Sequence, residues 1–261
     1  MTRWPYPRIV AHRGGGTLAP ENTLGAIRFG AELGFGGVEF DVMLSGDGVP
    51  VLIHDQTLER TTSGRGAVST HSAAQLARLD AGVWKGRRWA GEPIPRLEQA
   101  AQLCRRLGLW ANVEIKPAKG YERRTGEAVA VTARALWRDA ALPPVLSSFS
   151  PVALAAAREA APGLPRGLLL QRIPPYWREM ARDLECVALH CKGRLLTQTL
   201  VRAMQEAGYA VLAWTVNEPR TASKLLRWGV DCIVTDALRR IGPAFAAPVA
   251  RRRLWRRVWP K

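Results

Sequence analysis

Short apolar runs alternate with longer stretches of helical period along almost the whole chain. Runs of strand character fall at 8–11, 38–44, 110–116, 145–148, 167–170, 186–189, 210–215 and 231–235. Helical patterning occupies 21–33, 97–107, 126–137, 151–160, 176–183, 197–207 and 219–228. Ser150 followed by Pro151 reads as a cap and a first-turn proline, and Gly34, Gly108, Gly208 and Gly229 stand where helices end. Eight strands separated by helices predict an α/β fold, a parallel (β/α)8 TIM barrel with its reactive groups at the C-terminal strand ends. A doubly wound open sheet is the alternative architecture.

One stretch breaks the alternation. Residues 49–53 look like an extra short strand pairing with the second one, and 56–95 is rich in Thr, Ser, Gly, Arg and Trp. So long an irregular segment is a poor plain connector, so it reads as a small insertion after the second strand, forming a lid or subdomain at the mouth with Trp84 and Trp89 packing there. The 261 residues are expected to form one barrel domain, with that insertion and a basic tail from 247 on.

Several strand-like runs carry polar groups at alternate positions, which a strand turns to a common face. They are Ile9-Val-Ala-His12-Arg13-Gly-Gly-Gly16, Gly37-Val-Glu39-Phe-Asp41-Val-Met-Leu44, Val49-Pro-Val-Leu-Ile-His54-Asp55 and Trp110-Ala-Asn-Val-Glu114-Ile-Lys116-Pro117. Glu39 and Asp41, two apart, repel each other unless a cation or proton lies between them. Together with Glu114 they form a hard oxygen donor set, which favours Mg²⁺ or Ca²⁺ over zinc. The plainer reading, half-exposed surface acids, fits poorly with flanks as apolar as Val38, Phe40, Val42, Val113 and Ile115. His12 and His54 are the candidate acid–base pair, although a lone histidine on such a run is more often structural. Arg13 and Lys116 supply fixed positive charge suited to phosphate oxygens, and Gly14 to Gly16 permits close backbone approach.

His12-Arg-Gly, Pro20-Glu-Asn-Thr23, Glu39-x-Asp41, His54-Asp55 and Glu114-x-Lys116, with Trp214-Thr-Val-Asn217 and 229–236 later, resemble the signature of the glycerophosphodiester phosphodiesterases. The resemblance spans about 8–240 and, as an ordered set, is specific. It implies a (β/α)8 barrel that hydrolyses glycerophosphodiesters to glycerol 3-phosphate and an alcohol. It further implies a divalent metal on Glu39, Asp41 and Glu114, acid–base catalysis by His12 and His54, and phosphate contacts from Arg13 and Lys116. Asn22 would support the metal site or simply start a helix, and Trp214 would wall the glycerol or pack the barrel. Phe149, Gln171 and His190 are weaker candidates for the mouth, read first as structural residues.

Composition narrows the rest. Cys104, Cys186, Cys191 and Cys232 form no C-x-x-C pair and sit in apolar surroundings, so they read as core residues of a reducing compartment. No apolar leader or membrane-length run appears, and a cytoplasmic protein is the expectation. The net charge of +16 favours anionic partners, and the interleaved Arg and Trp of 251–261 suit either peripheral membrane contact or a solvated terminus. A small-molecule glycerophosphodiester is the expected partner, and nucleic acid is not expected. Two rivals are a phospholipase D-like enzyme acting on lysophospholipids at the membrane surface and a non-catalytic basic module for anionic lipid or nucleic acid. Such a module would need no clustered histidines and carboxylates.

Overall fold

A computed structural model describes residues 4–245, so the basic tail lies outside the described residues. Eight parallel strands close into a barrel: β1 (Ile9–Ala11), β2 (Gly37–Leu44), β4 (Trp110–Ile115), β5 (Val145–Ser148), β6 (Arg166–Leu170), β7 (Ala188–Lys192), β8 (Ala210–Trp214) and β9 (Cys232–Thr235). Closure comes from β1, which pairs with β2 on one side and β9 on the other, through Ala11–Val38 and Ile9–Ile233. This selects the barrel over the open sheet. A ninth strand, β3 (Pro50–Leu52), runs antiparallel to β2 and stays outside the ring.

Helices return the chain between strands: α1 (Leu24–Glu32), α3 (Leu97–Arg106), α4 (Glu122–Leu136), α5 (Pro151–Ala160), α6 (Trp177–Asp183), α7 (Gln198–Glu206) and α8 (Pro219–Trp228). The short α2 (Ala73–Leu76) belongs to the insertion. Outward-facing strand residues such as Phe40, Val113, Leu146, Leu168 and Leu189 pack on these helices in one continuous core. Burying each such side chain fully contributes about 1.5–3 kcal/mol. Inside the barrel Val10, Val145, Leu212 and Val234 form a second layer above an aromatic floor of Trp4, Tyr6 and Trp110. Tyr6 stacks on Trp110 with ring centroids 4.5 Å apart, and Trp4 meets Tyr6 edge-on at 4.8 Å.

Among the element starts that differ from the sequence pattern, one helix and one strand show a backbone reason. α1 begins at Leu24, because Asn22 adopts φ +60° and the Thr23 hydroxyl caps the helix by accepting from Ala26 N. β7 begins at Ala188 and not at 186, because Glu185 turns the chain at φ +49°. The insertion has its own small core of Met43, Ile53, Leu58, Val68, Leu76 and Ile94. Trp89 packs edge-on against Phe29 of α1 at 5.9 Å, whereas Trp84 departs from expectation and stays exposed, its indole N–H donating to Ala81 O. All four cysteines are free and buried. Among the described residues no helix is long and apolar enough to cross a membrane.

Candidate active site

The pleat explains why the acids meet. Glu39 and Asp41 point inward from β2, and the β2–β4 register sets Asp41 beside Glu114. One carboxylate oxygen from each of the three lies within 4.8 Å of the others, and all three side chains are buried. Burial pushes Glu39 up to about 7, and the Asp41 charge adds to the effect. Burial likewise pushes Glu114 up to about 8, again reinforced by Asp41. Burial would raise Asp41 too, but the Lys116 and Arg13 charges outweigh it and hold this carboxyl below its usual range. The Lys116 ammonium lies 3.5 Å from Asp41 Oδ1 and 3.4 Å from Glu114 Oε1.

One lysine does not neutralise three buried acids. Glu39 Oε1 is buried with no hydrogen-bond partner, an arrangement that costs free energy unless something positive faces it. An all-oxygen donor set with an orphaned lone pair fits a hard divalent cation.

Each histidine is gripped by a carboxylate. His12, one residue past β1, places Nδ1 2.5 Å from Asp236 Oδ1, at the end of β9, and Nε2 3.7 Å from Glu39 Oε2. His54, just past β3, sets Nδ1 2.6 Å from Asp55 Oδ1. A carboxylate only accepts, so Nδ1 carries the hydrogen in both rings and Nε2 is the nitrogen turned to reactants. Burial alone would lower the His12 pKa, but the Asp236 hydrogen bond and the Glu39 charge reverse that and raise it. Burial lowers the His54 pKa, and with the Arg13 and Lys116 charges on the same side the shift stays downward against the pull of Asp41 and the Asp55 hydrogen bond.

The loop after β1 is tightly built. Arg13 has φ +50°, a left-handed conformation that costs a residue with a side chain free energy, and this turns its amide to donate to Glu39 Oε2 at 3.0 Å. A side chain at Gly16 would place its Cβ 2.3 Å from Asp236 O, so only glycine lets this loop cross the end of β9. Asn22, predicted as a supporting residue, donates to Asp41 Oδ2 at 2.9 Å and accepts from Asp41 N at 3.0 Å. It therefore fixes one rotamer of the central acid and is not part of α1.

Sequence reasoning missed a chain of charges that links the two histidine sides. Arg60, from the insertion, donates to Asp55 from Nε (2.5 Å) and Nη2 (3.0 Å) and to Glu21 from Nη1 (2.8 Å) and Nη2 (2.7 Å). Glu21 also accepts from Arg13 Nη1 at 2.5 Å. The hydrogen bonds from Arg60 hold Asp55 well below the carboxylate range. Burial works against the Glu21 charge, but Arg60 and Arg13 outweigh it and lower its pKa.

Beside Glu114 and Lys116 opens a cavity of about 370 Å³, walled by Met43, Pro117 and Phe149. Trp214, at the end of β8, meets Phe149 edge-on at 5.2 Å and has Lys192 5.5 Å above its ring. Its Nε1 is buried without a partner. Gln171 is exposed after β6. His190 does not reach the mouth. It is fully buried on β7, with both ring nitrogens unpartnered and its pKa pushed down to about 3 by burial.

Buried acids, clamped imidazoles and cationic arms at the C-terminal mouth of such a barrel define an enzyme of phosphate-ester chemistry. Residues 12–240 match the glycerophosphoryl diester phosphodiesterase family, and the chain belongs to that family. It is 33% identical over 234 residues to a glycerophosphodiester phosphodiesterase of Caldanaerobacter subterraneus subsp. tengcongensis, covering 87% of this chain and 93% of that one. A glycerophosphodiester phosphodiesterase of Bacillus subtilis is 28% identical, with 87% and 82% covered. Among solved structures, an Oleispira antarctica phosphodiesterase in complex with the product sn-glycerol-3-phosphate superposes with a TM-score of 0.85 at 38% identity, over 90% of this chain and 95% of that one. The protein is thus a phosphoric diester hydrolase of the glycerophosphodiester class.

Proposed function

We propose that the chain releases glycerol 3-phosphate and a free alcohol from small glycerophosphodiesters, with Glu39, Asp41 and Glu114 holding one Mg²⁺ or Ca²⁺ ion. The observation that carries this reading is the buried three-carboxylate cluster, in which Glu39 Oε1 is unpartnered and Glu39 Oε2 lies 3.7 Å from His12 Nε2. A bound divalent cation supplies positive charge against the phosphoryl oxygens as negative charge develops there. Arg13 and Lys116 act on the same oxygens, drawing the anionic diester in and reducing its repulsion of a nucleophile. Asn22 keeps the Asp41 carboxylate in place. Trp214, with Phe149 against it, walls the glycerol arm.

The two carboxylate-bound imidazoles divide the proton work. His54, whose pKa is lowered, is neutral and takes the proton from the attacking oxygen, either the 2-hydroxyl of the glycerol or water. The family resemblance favours the hydroxyl, through a cyclic phosphate that water then opens. His12, held as the cation by Asp236, protonates the departing alkoxide. Asp55 and Asp236 stay ionised, fixing each tautomer and compensating the charge that forms on the ring.

The deciding assay measures glycerophosphocholine turnover after EDTA, followed by Mg²⁺ or Ca²⁺ add-back. Activity should vanish with the chelator and return with the ion. Full turnover in EDTA would remove the metal from this account.

A further inference from the structure

The loops that follow barrel strands all emerge at the end that holds the reaction centre. Four neighbouring ones, after β4, β5, β6 and β7, differ from the rest in charge. Segments 116–121, 149–150, 171–176 and 192–197 contain Lys116, Lys119, Arg172, Lys192 and Arg194 and no Asp or Glu. The loops after β1, β8 and β9 carry Glu21, Glu218 and Asp236.

The same arc exposes large apolar side chains. Tyr176 is 60% exposed, Val152 55%, Tyr121 40% and Phe149 38%. Single exposed apolar residues are ordinary, but three on adjacent loops of one rim and a fourth, Val152, in the first turn of α5, interspersed with cations, mark an interaction surface. Attraction of a soluble anionic diester would explain the cations, and Phe149 belongs to the wall of its site, but exposed Tyr121, Val152 and Tyr176 add nothing to it. An anionic bilayer uses both: aromatic rings sit at headgroup level and Lys or Arg meets the negative surface.

We propose that this arc docks the mouth of the barrel onto an anionic phospholipid surface, with Tyr121, Val152 and Tyr176 entering the headgroup region and Lys119, Arg172 and Arg194 facing lipid phosphates. The docking surface lies on the described barrel and goes beyond the hydrolytic reading without depending on it.

The 261-residue chain is sedimented with phosphatidylglycerol-containing vesicles and with pure phosphatidylcholine vesicles. Partition should favour the anionic vesicles. It should weaken about tenfold or more in Arg172→Ser/Arg194→Ser, and fall several-fold in Val152→Ser/Tyr176→Ser, while both variants keep their turnover of soluble glycerophosphocholine. The same 261-residue chain carrying Trp255→Ser/Trp259→Ser is the control for the basic tail. Equal binding to both vesicle types overturns the proposal, as does loss confined to the charge variant or loss confined to the tail variant.

Discussion

The two ends of this barrel are built to opposite rules. At the N-terminal end Trp4, Tyr6 and Trp110 fill the bore with interlocked rings, and Trp110 Nε1 donates to Pro143 O at 3.2 Å. At the C-terminal end three carboxylates crowd together, Arg13 takes a strained backbone, and Glu39 Oε1 is left unpaired. The first end contributes packing energy. The second gives up stability to hold charge where water is scarce, and it repays this only when a cation and substrate arrive. Stability and chemistry are therefore separable along one axis.

Substitutions can break that separation or confirm it. The largest expected effect is at the imidazoles: His12→Ala or His54→Ala should lower kcat by about 10²- to 10⁴-fold, with the chain still folded at the assay temperature. On a nitrophenyl ester, whose leaving group needs no proton, His12→Ala should lose far less than His54→Ala. Equal losses would reverse or void the division of roles.

At the opposite end Trp110→Ala should cost about 3–5 kcal/mol of folding stability, by cavity formation. The folded fraction, measured under stabilising conditions, should keep its KM and metal titration. A changed metal affinity would show that the floor and the mouth are coupled.

Arg60→Ala should reduce kcat by roughly ten- to a hundredfold, the worth of charge-assisted hydrogen bonds of about 1.5–3 kcal/mol. Arg60→Lys should not restore it, because an ammonium cannot fork to Asp55 and Glu21 at once. Recovery in the lysine variant would reduce Arg60 to a general positive charge.

The last effect concerns pH and leaves turnover aside. Glu39 and Glu114 have folded pKa values raised to about 7 and about 8, so the folded state holds protons that the unfolded state releases near 4.5. Metal-free protein should therefore lose stability as pH rises from about 4.5 towards 8. Melting of wild type against Glu39→Gln measures the difference: the variant should show a shallower decline, and so should wild type with divalent ion added. Identical slopes would show that the cluster is not under charge strain.

The barrel and its acids were legible because both follow a period. Alternation put Glu39 and Asp41 on one face, and apolar flanks placed Glu114 and both histidines at the ends of buried runs. The partners of the histidines were less legible. Asp55 adjoins His54 in sequence, but Asp236 lies 224 residues from His12 and is brought to it only by closure of β1 on β9. Arg60 and Glu21 stand 39 residues apart on irregular segments, where no periodicity signals contact. The exposure of Trp84 escaped for the same reason, since burial in an insertion depends on how its own small core forms.

His54 arrives on a hairpin strand outside the closed ring, whereas every ligand of the proposed ion stands on the ring itself. Yet that hairpin is laced to the ring: β3 pairs along β2, and Ile53 N, next to His54, donates to Asp41 O at 3.2 Å, with Arg60 adding a second tie from Asp55 to Glu21. Redesigning the hairpin would therefore tug on the main chain of Asp41 as well as on the imidazole, so neither can be retuned in isolation.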